Sequence, residues 1–422
     1  MAELIPVAAC IGIDWADQEH DVALQETGST RVERQRLAQT PEAIHAWLIA
    51  LRARFGARQV GIAVETSRGP LIHALLESEG LVLYPVNPRS LQRFRETFAP
   101  SGAKADRPDA ELLCELLVKH RDRLRPWVPE AREVRALRRL VEGRRDAVDL
   151  RTKLVQQLGA ALKESFPQAL AWVGEELSSP LACDFLLRWP TLAAVQRARR
   201  PELRTFYTAH HCRRRELIDQ RLREIRQATP LTTDPAILEP SALRVELLAQ
   251  QLKTLGGSIH RYETEIAQRF AAQDDAALFS ALPGSGAALA PRLLVAFGTD
   301  RTRYQRATDL QQFAGIAPVT ERSGQSCVVR WRWSVPTFVR QTFHEFANQS
   351  IRYSTWARTY YANQRARGKG HHAAVRALAF KWIRIIWRCW QERTAYDEAR
   401  YLRTLAQRHS PLATHLALAT PA

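Results

Sequence analysis

Four acidic residues, Asp14, Glu65, Asp106 and Asp109, are the side chains in this sequence whose type and placement best suit chemistry. Asp14 closes the apolar run VAACIGID and Glu65 closes VGIAVE, while Asp106 and Asp109 open the helical stretch ADRPDAELLCELLVKH. Carboxylates gathered from such places repel one another and lose hydration. Two divalent cations about 4 Å apart would offset that cost while activating an attacking oxygen and stabilising a leaving one. The matching reaction is phosphoryl transfer on nucleic acid, with Mg2+, or Mn2+ in its place, as the cofactor. Taken singly, each acid has an ordinary explanation. Asp14 can cap a turn, Glu65 can be a solvated strand-end charge, and Asp106 or Asp109 can favour a helix N-terminus. Their order, and the elements that carry them, favour a metal site. Asp17, Glu19 and Asp21 read as a polar hairpin.

The elements that must position these acids are legible in the patterning. The run at 7–14, then HDVALQE and TRVERQRLA, separated by the Gly28-Ser29 turn, predict three consecutive antiparallel strands. The amphipathic stretch PEAIHAWLIALRARF precedes VGIAVE, and GPLIHALLESEG precedes LVLYPVNP, giving helix-strand alternation. That order is an α/β RNase H-like fold, in which the ends of the first strand and of a later buried strand converge with the mouth of the closing helix. Pro108 is tolerated there because it falls in the first helical turn. This domain spans 1–130. From 131 to 280 strand signals vanish and helical spacing takes over. Leu243 to Ile266 fits a helical hairpin or coiled coil, or equally an intramolecular bundle, with Gly256-Gly257 as an interruption and Pro230 to Pro240 as a loop. A mostly α third region, 281–396, opens with LPGSGAALAPRLLVAFG and ends in the apolar helix AAVRALAFKWIRIIWRCW; the tail, 397–422, ends in HSPLATHLALATPA, read as disordered.

A chain of 422 residues is long enough for two or three domains. Its net charge of +17 calls for a polyanion, and phosphate backbones are the commonest such partner. The six cysteines lie far apart, without the paired spacing of a zinc site or disulfide framework, which predicts reduced thiols in a cytoplasmic protein. The first fifteen residues lack a basic leader, and no apolar run approaches the roughly 20 residues of a membrane span.

Several strings together resemble a known family. IGIDWADQEHDVAL, VETSRG, LYPVNP, K-A-D-R-P-D-A-E-L-L, LPGSGAALAPRLLVAFG and DLQQFAGIAPVTERSG are similar to those of the DEDD transposases of insertion elements, the insertion sequence one-ten family. The resemblance spans most of the chain. It implies a RuvC-like domain with Asp14, Glu65, Asp106 and Asp109 as ligands of two ions, joined through a coiled coil to a second domain whose Ser323, in Arg322-Ser323-Gly324, is the nucleophile. A phosphoserine intermediate would retain the energy of the broken DNA bond, so that strands could be exchanged and rejoined without ATP. The resemblance further implies double-stranded donor and target DNA, a structured guide (bridge) RNA, and a homo-oligomer, dimer or tetramer, with metals and serine assembled in one composite site. Ser326 and Ser334 lack the family's S-G context. After the serine this chain departs from the family: VVRWRWSVPTFVRQTFHEFANQS stands where many members carry a K-R-G-N-like string.

Nucleic-acid contacts are expected from Lys104 and Arg107 beside the acids, and from Arg322, Arg330 and Arg332, interleaved with Trp331 and Trp333. Arg365, Arg367, Lys369 and His371 in YYANQRARGKGHH rank above the tryptophans, which are as often core. LPGSGAALAPRLL resembles a helix-hairpin-helix turn, where Gly284 and Gly286 would expose amides to a phosphate; a purely structural turn is the alternative. Arg135, Arg138, Arg139, Arg144 and Arg145 form a basic face at the start of the helical section, or simply a solvated one. Three other readings compete. A metal-only nuclease or junction resolvase would use the acids without Ser323, an actin-like ATPase would need glycine-rich phosphate loops that are absent, and a noncatalytic RNA-binding protein would not need all five residues.

Overall fold

The computed structural model describes residues 5–65, 69–97, 109–324, 326–333 and 335–412. The chain divides into two compact units, Met1–Pro129 and Glu130–Ala422.

In the first unit, β1 (Ala9–Asp14), β2 (Glu19–Glu26) and β3 (Val32–Ala38) form an antiparallel meander. Then α1 (Pro41–Phe55), β4 (Val60–Val64), α2 (Pro70–Glu77), β5 (Leu81–Pro85), α3 (Pro88–Glu96) and α4 (Asp109–His120) follow. The sheet order is β3-β2-β1-β4-β5, with β1, β4 and β5 parallel to one another. The mixed α/β sheet therefore has β1 and β4 at its interior, and their almost unbroken apolar sequences suit strands covered on both faces. Alternation sorts the side chains. Ile11, Ile13, Ile62, Val64 and Leu83 face α1 and α2, packing on Trp47, Leu51, Leu71 and Leu75. Cys10, Ala63 and Tyr84 face the other way, onto Leu91 of α3 and Leu113, Cys114 and Leu117 of α4. Two helix starts are chemically marked: Thr40 accepts from the Ala43 amide ahead of α1, and Asn87 accepts from the Arg89 amide ahead of α3, with proline at the first helical position in both. Helix α3 is an element the patterning did not announce.

The second unit is built on two long helices, α5 (Arg132–Ser165) and α11 (Pro235–Ala271). Between them run α6 (Ala169–Trp172), α7 (Pro180–Arg188), α8 (Leu192–Arg197), α9 (Arg200–Ala209) and α10 (Arg215–Gln227). They form a core with the far half of α5 and the near half of α11, through Leu158, Leu162, Phe185, Tyr207, Leu222 and Leu252. The other ends of the pair, Val134, Leu137, Val141 and Ile266, belong to a separate core. That core is completed by α12 (Ala276–Ser280), α13 (Gly286–Phe297), α14 (Ala307–Phe313), α15 (Thr337–Tyr353), α16 (Thr355–Ala366), α17 (His371–Glu392) and α18 (Glu398–Gln407). A hairpin of β6 (Val319–Ser323) and β7 (Ser326–Arg330) leaves this helical body.

Two expectations about α11 fail. Gly256-Gly257 does not interrupt it: both glycines face open space, and Leu252 and Ile259 on either side are buried. Packing of those flanks outweighs the cost of roughly 1 kcal/mol per glycine. Nor is Pro230 to Pro240 all loop. Asp234 caps the helix by accepting from the Ala236 amide, Pro235 takes the first position, and Pro240 is accommodated inside. Toward the C-terminus, order extends at least to Leu412, which is buried in the core; 413–422 lie outside the described residues. Among the described residues no helix is long and apolar enough to cross a membrane. The six cysteines are free thiols, with Cys10, Cys114 and Cys183 buried.

Candidate active site

The approach of α4 to the sheet begins with a missing side chain. A Cβ on Gly12 would stand 2.0 Å from the Ala110 carbonyl oxygen, 2.4 Å from the Cys114 nitrogen and 2.9 Å from the Leu113 Cβ. Only glycine lets the helix backbone lie directly on β1, and this contact brings Asp109, the first residue of α4, toward Asp14, two positions beyond Gly12 on β1. Glu65 arrives by register: Ile13 of β1 pairs with Val64 of β4, so the next residue after each stands at the same end of the sheet. Three of the four predicted acids thus lie near enough to act on one another's charge; Asp106, with Lys104 and Arg107, lies outside the described residues.

Their mutual charge is visible in their titration. Burial, then the charges of Asp109 and Asp21, push the Asp14 carboxyl above its ordinary range against the pull of Arg95 and His20. Burial, then Asp109 and Asp14, raise Glu65, again opposed by Arg95. Arg95 of α3 forms an ion pair with Asp109, both side chains about 30% exposed. Patterning missed this partner because it missed α3, although Asn87-Pro88 is a readable helix start. His20, fully buried, was also passed over. Its Nδ1 accepts from the Ala16 amide at 3.2 Å and its Nε2 donates to Gln39 Oε1 at 2.6 Å, which fixes the loop that follows Asp14.

Among the described residues no three acidic, imidazole or thiol side chains already form a metal-holding cluster. The donor set nonetheless fits a hard divalent cation: carboxylate oxygens, partly desolvated, with Asp14 and Glu65 raised by burial and neighbouring acids and opposed chiefly by Arg95.

In the second unit, Ser323 ends β6 and pairs with Ser326 across the turn, where Gly324 takes φ +56°. The backbone there is left-handed, which glycine adopts without strain. Ser323 and Arg322 are exposed, and every residue of β7 is exposed. At the root of the hairpin, Gly315 leaves room for Val335, whose Cγ2 would meet a Cβ at 2.6 Å, and half-buried Trp331 lies 3.9 Å from the guanidinium carbon of Arg376 and 5.3 Å from that of Arg340. Arg332 is half-buried beside them, Arg330 is exposed at the end of β7, and Trp333 is 74% exposed. Ser334 lies outside the described residues.

The remaining predicted contacts have mixed surroundings. Gly284, at φ +80°, is explained by packing, since a Cβ would stand 2.8 Å from Tyr353 and 3.2 Å from Gln349; Gly286, at φ +51°, borders open space. In the α16–α17 turn, Arg365 donates to the Lys369 carbonyl, Lys369 to Gln364 Oε1, and His371 Nδ1 bonds the Tyr361 hydroxyl, while Arg367 is exposed. The turn stabilises itself with the side chains singled out for nucleic acid.

Comparison with known proteins agrees at both ends of the chain. A family profile for the DEDD transposase of IS110 matches residues 11–167 and one for the transposase IS116/IS110/IS902 family matches residues 276–362, together more than half of the chain. The chain is 28% identical over 403 residues, 94% of its length and 97% of the relative's, to the mini-circle protein named as a transposase for IS117 in Streptomyces coelicolor. It is 25% identical over 392 residues, 92% and 97% of the two lengths, to the 42 kDa protein of insertion element IS900 in Mycobacterium paratuberculosis. With matching family sequence at both the acidic sheet edge and the helical C-terminal body, the chain belongs to the IS110 family of transposases, enzymes that cleave and rejoin DNA.

Proposed function

We propose that this transposase cuts and rejoins double-stranded donor and target DNA with two chemical groups, a divalent-metal site formed by Asp14, Glu65, Asp106 and Asp109 and a nucleophilic Ser323. The observation that carries the metal half is the convergence of Asp14, Glu65 and Asp109, with two carboxyls raised by burial and by one another. A bound Mg2+ or Mn2+ would supply charge stabilisation to the phosphate and to the oxygens entering and leaving it. The sheet order, with a β1–β3 meander and parallel β4 and β5, supports an RNase H-like, RuvC-like reading of this domain.

The serine half rests on family likeness and is favoured by exposure at a glycine turn, where a DNA strand has access. In the step we infer, Ser323 Oγ bonds to the scissile phosphorus and gives up its proton. The bond from phosphorus to one sugar oxygen breaks, and that oxygen leaves as a hydroxyl after taking up a proton. Attack on the phosphoserine by the hydroxyl of another strand reverses these bonds, joins the new strands and frees the serine. We further infer guidance by a structured RNA that pairs with both DNA partners, and a homodimer or homotetramer working in the bacterial cytoplasm. The net charge of +17 supports a polyanion partner, and delegating sequence choice to base pairing would leave the protein to read RNA shape and backbone. Arg322, Arg330, Arg332, Arg365, Arg367, Lys369 and His371 are the proposed contacts, together with Lys104 and Arg107.

The test uses DNA carrying the element's ends, RNA that copurifies with the protein, and Mg2+. The unmodified chain should yield a denaturant-resistant protein-DNA adduct, and Ser323→Ala should yield neither adduct nor recombinant product. Full strand cleavage by Ser323→Ala, with no adduct from the unmodified chain, would replace this reading with a metal-only nuclease. Absence of any structured RNA in the purified protein would remove the guided part.

A further inference from the structure

In the second unit, where the α5–α11 pair meets the start of α13, lies a cavity of about 610 Å3 that the chemistry above does not use. Its charged lining is Arg144, Arg145, Arg292 and Glu263. Arg292 is only 4% exposed. Its Nε donates to Thr342 Oγ1 at 3.1 Å and its Nη1 to Glu345 Oε2 at 2.5 Å, but its Nη2 is buried with no acceptor. The Phe338 ring lies 5.2 Å from the guanidinium carbon, yet a buried cationic N-H without an acceptor is still costly, and folded proteins rarely leave one so.

The neighbouring charges do not relieve it. Glu345 is shared, its other oxygen lying 3.0 Å from Arg145 Nη1, and Arg145 turns its remaining nitrogens to Asp149 on its own helix. Arg144 is paired with Glu263 through Nε and Nη2, at 3.1 and 2.6 Å. The lining itself holds three guanidiniums and one carboxylate, Glu263, while Glu345 and Asp149 pair with Arg292 and Arg145 without lining the cavity. Burial, and after the opposing pull of Glu345 the charges of Arg145 and Arg144, hold Arg292 below its ordinary range. The first turn of α13 opens into the same cavity through Gly286, Ala287 and Ala288. The leading amides of a helix have no intrahelical acceptor and carry the positive end of its dipole.

We propose that this cavity binds a phosphate group, held by Arg292 Nη2, by Arg144 and Arg145 at its side, and by the leading amides of α13. The phosphate comes either from a nucleic-acid backbone or from the free anion; the chemistry of recognition is the same. The site goes beyond the cleavage chemistry and does not depend on Ser323, so binding measured without divalent metal tests it separately.

The experiment uses the full chain and two probes, inorganic phosphate and a labelled 20-base-pair duplex of arbitrary sequence. Thermal unfolding is followed in phosphate against chloride at matched ionic strength, and duplex affinity across a salt series. Arg292→Met and Arg144→Gln are compared with Arg261→Gln, which removes the same charge from an exposed position on α11 outside the cavity. Should Arg292→Met not fold, Arg144→Gln, which loses only its pair with Glu263, still decides the matter. Phosphate should raise the unfolding temperature of the unmodified chain and of Arg261→Gln, and fail to do so in the two cavity variants. If the source is a nucleic-acid backbone, the cavity variants also bind the duplex about 3- to 10-fold more weakly, with a salt slope shallower by about one, which Arg261→Gln does not show. Loss of the phosphate response with unchanged duplex binding assigns the free anion. No phosphate-specific shift in the unmodified chain, together with duplex binding by Arg144→Gln equal to that of Arg261→Gln, overturns the proposal.

Discussion

The two places where this transposase carries its candidate chemistry are built on opposite principles. The acids sit at the edge of a sheet covered on both faces, fixed by register and by a helix whose backbone touches β1 at Gly12. Ser323 sits at the tip of a two-stranded hairpin whose second strand is exposed along its length. A lone hairpin is marginally stable in water, so its order depends on its root. Carboxylates that repel need a scaffold rigid enough to hold them together, whereas a nucleophile that must meet a strand of DNA needs access. That difference in construction can be broken experimentally.

The largest effect belongs to the glycines. Gly12→Ala forces a methyl into the backbone of α4 and should cost about 3 kcal/mol, enough to lose soluble protein or the melting transition of the first unit. Gly324→Ala has open space around its Cβ and meets only the left-handed backbone penalty of about 1–2 kcal/mol, confined to the hairpin. Circular dichroism melts of the two variants test the contrast; equal losses would mean that the hairpin is integral to the fold.

Next is charge. Because Asp14 and Glu65 titrate above the ordinary carboxylate range, the folded state holds protons that the unfolded chain has released. Without divalent ions, the stability of the first unit therefore falls as pH rises from about 4 through the raised values, and the penalty is fully present only above them. Mg2+ or Mn2+ should oppose that fall. Asp14→Asn should flatten the pH dependence and raise the metal-free melting temperature by a few degrees, while abolishing recombination, as expected where function is held at the expense of stability. Melting curves between pH 4 and 8, with and without metal, provide the check, and a destabilised Asp14→Asn would contradict the account.

A smaller, local effect is expected at the hairpin root. Trp331 lies against the guanidiniums of Arg376 and Arg340, contacts worth roughly 0.5–2 kcal/mol each when partly desolvated. Trp331→Ala should leave the global melt within about 2 °C while speeding amide exchange across β6 and β7 severalfold. Unchanged exchange would show that the hairpin is held some other way.

How much of this was readable beforehand differs between the two places for the same physical reason. Strands β1 and β4 are buried and β5 half-buried, so their apolar runs announce them, and the ends of β1 and β4 locate Asp14 and Glu65. Strand β7 of the hairpin, SCVVR, is exposed along its length, so no buried face constrains its pattern and the sequence does not announce it; Ser323 is legible only through family likeness. Helix α3 has a single fully buried residue, Leu91, so its apolar spacing was too sparse to announce a helix. Gly256-Gly257 misled in the opposite sense, because a local propensity was read where long-range packing of α11 decides.

The missed helix supplies the smallest and most discriminating change. Arg95 pairs with Asp109 and lowers the proton affinity of both Asp14 and Glu65, so it does in part what a cation would do. Removing it has two opposed consequences. Arg95→Gln leaves the carboxylates less compensated, so the metal-free first unit should melt slightly lower at neutral pH. It also frees Asp109 from a competitor, so Mn2+ should bind about 2- to 5-fold more tightly, in keeping with the ~0.2–1 kcal/mol typical of a partly exposed ion pair. Titration with Mn2+ followed by electron paramagnetic resonance measures the second effect directly. If affinity falls instead, Arg95 orients Asp109 for the metal rather than standing in for it, and the acidic edge is preorganised in the same way as the strands that carry it.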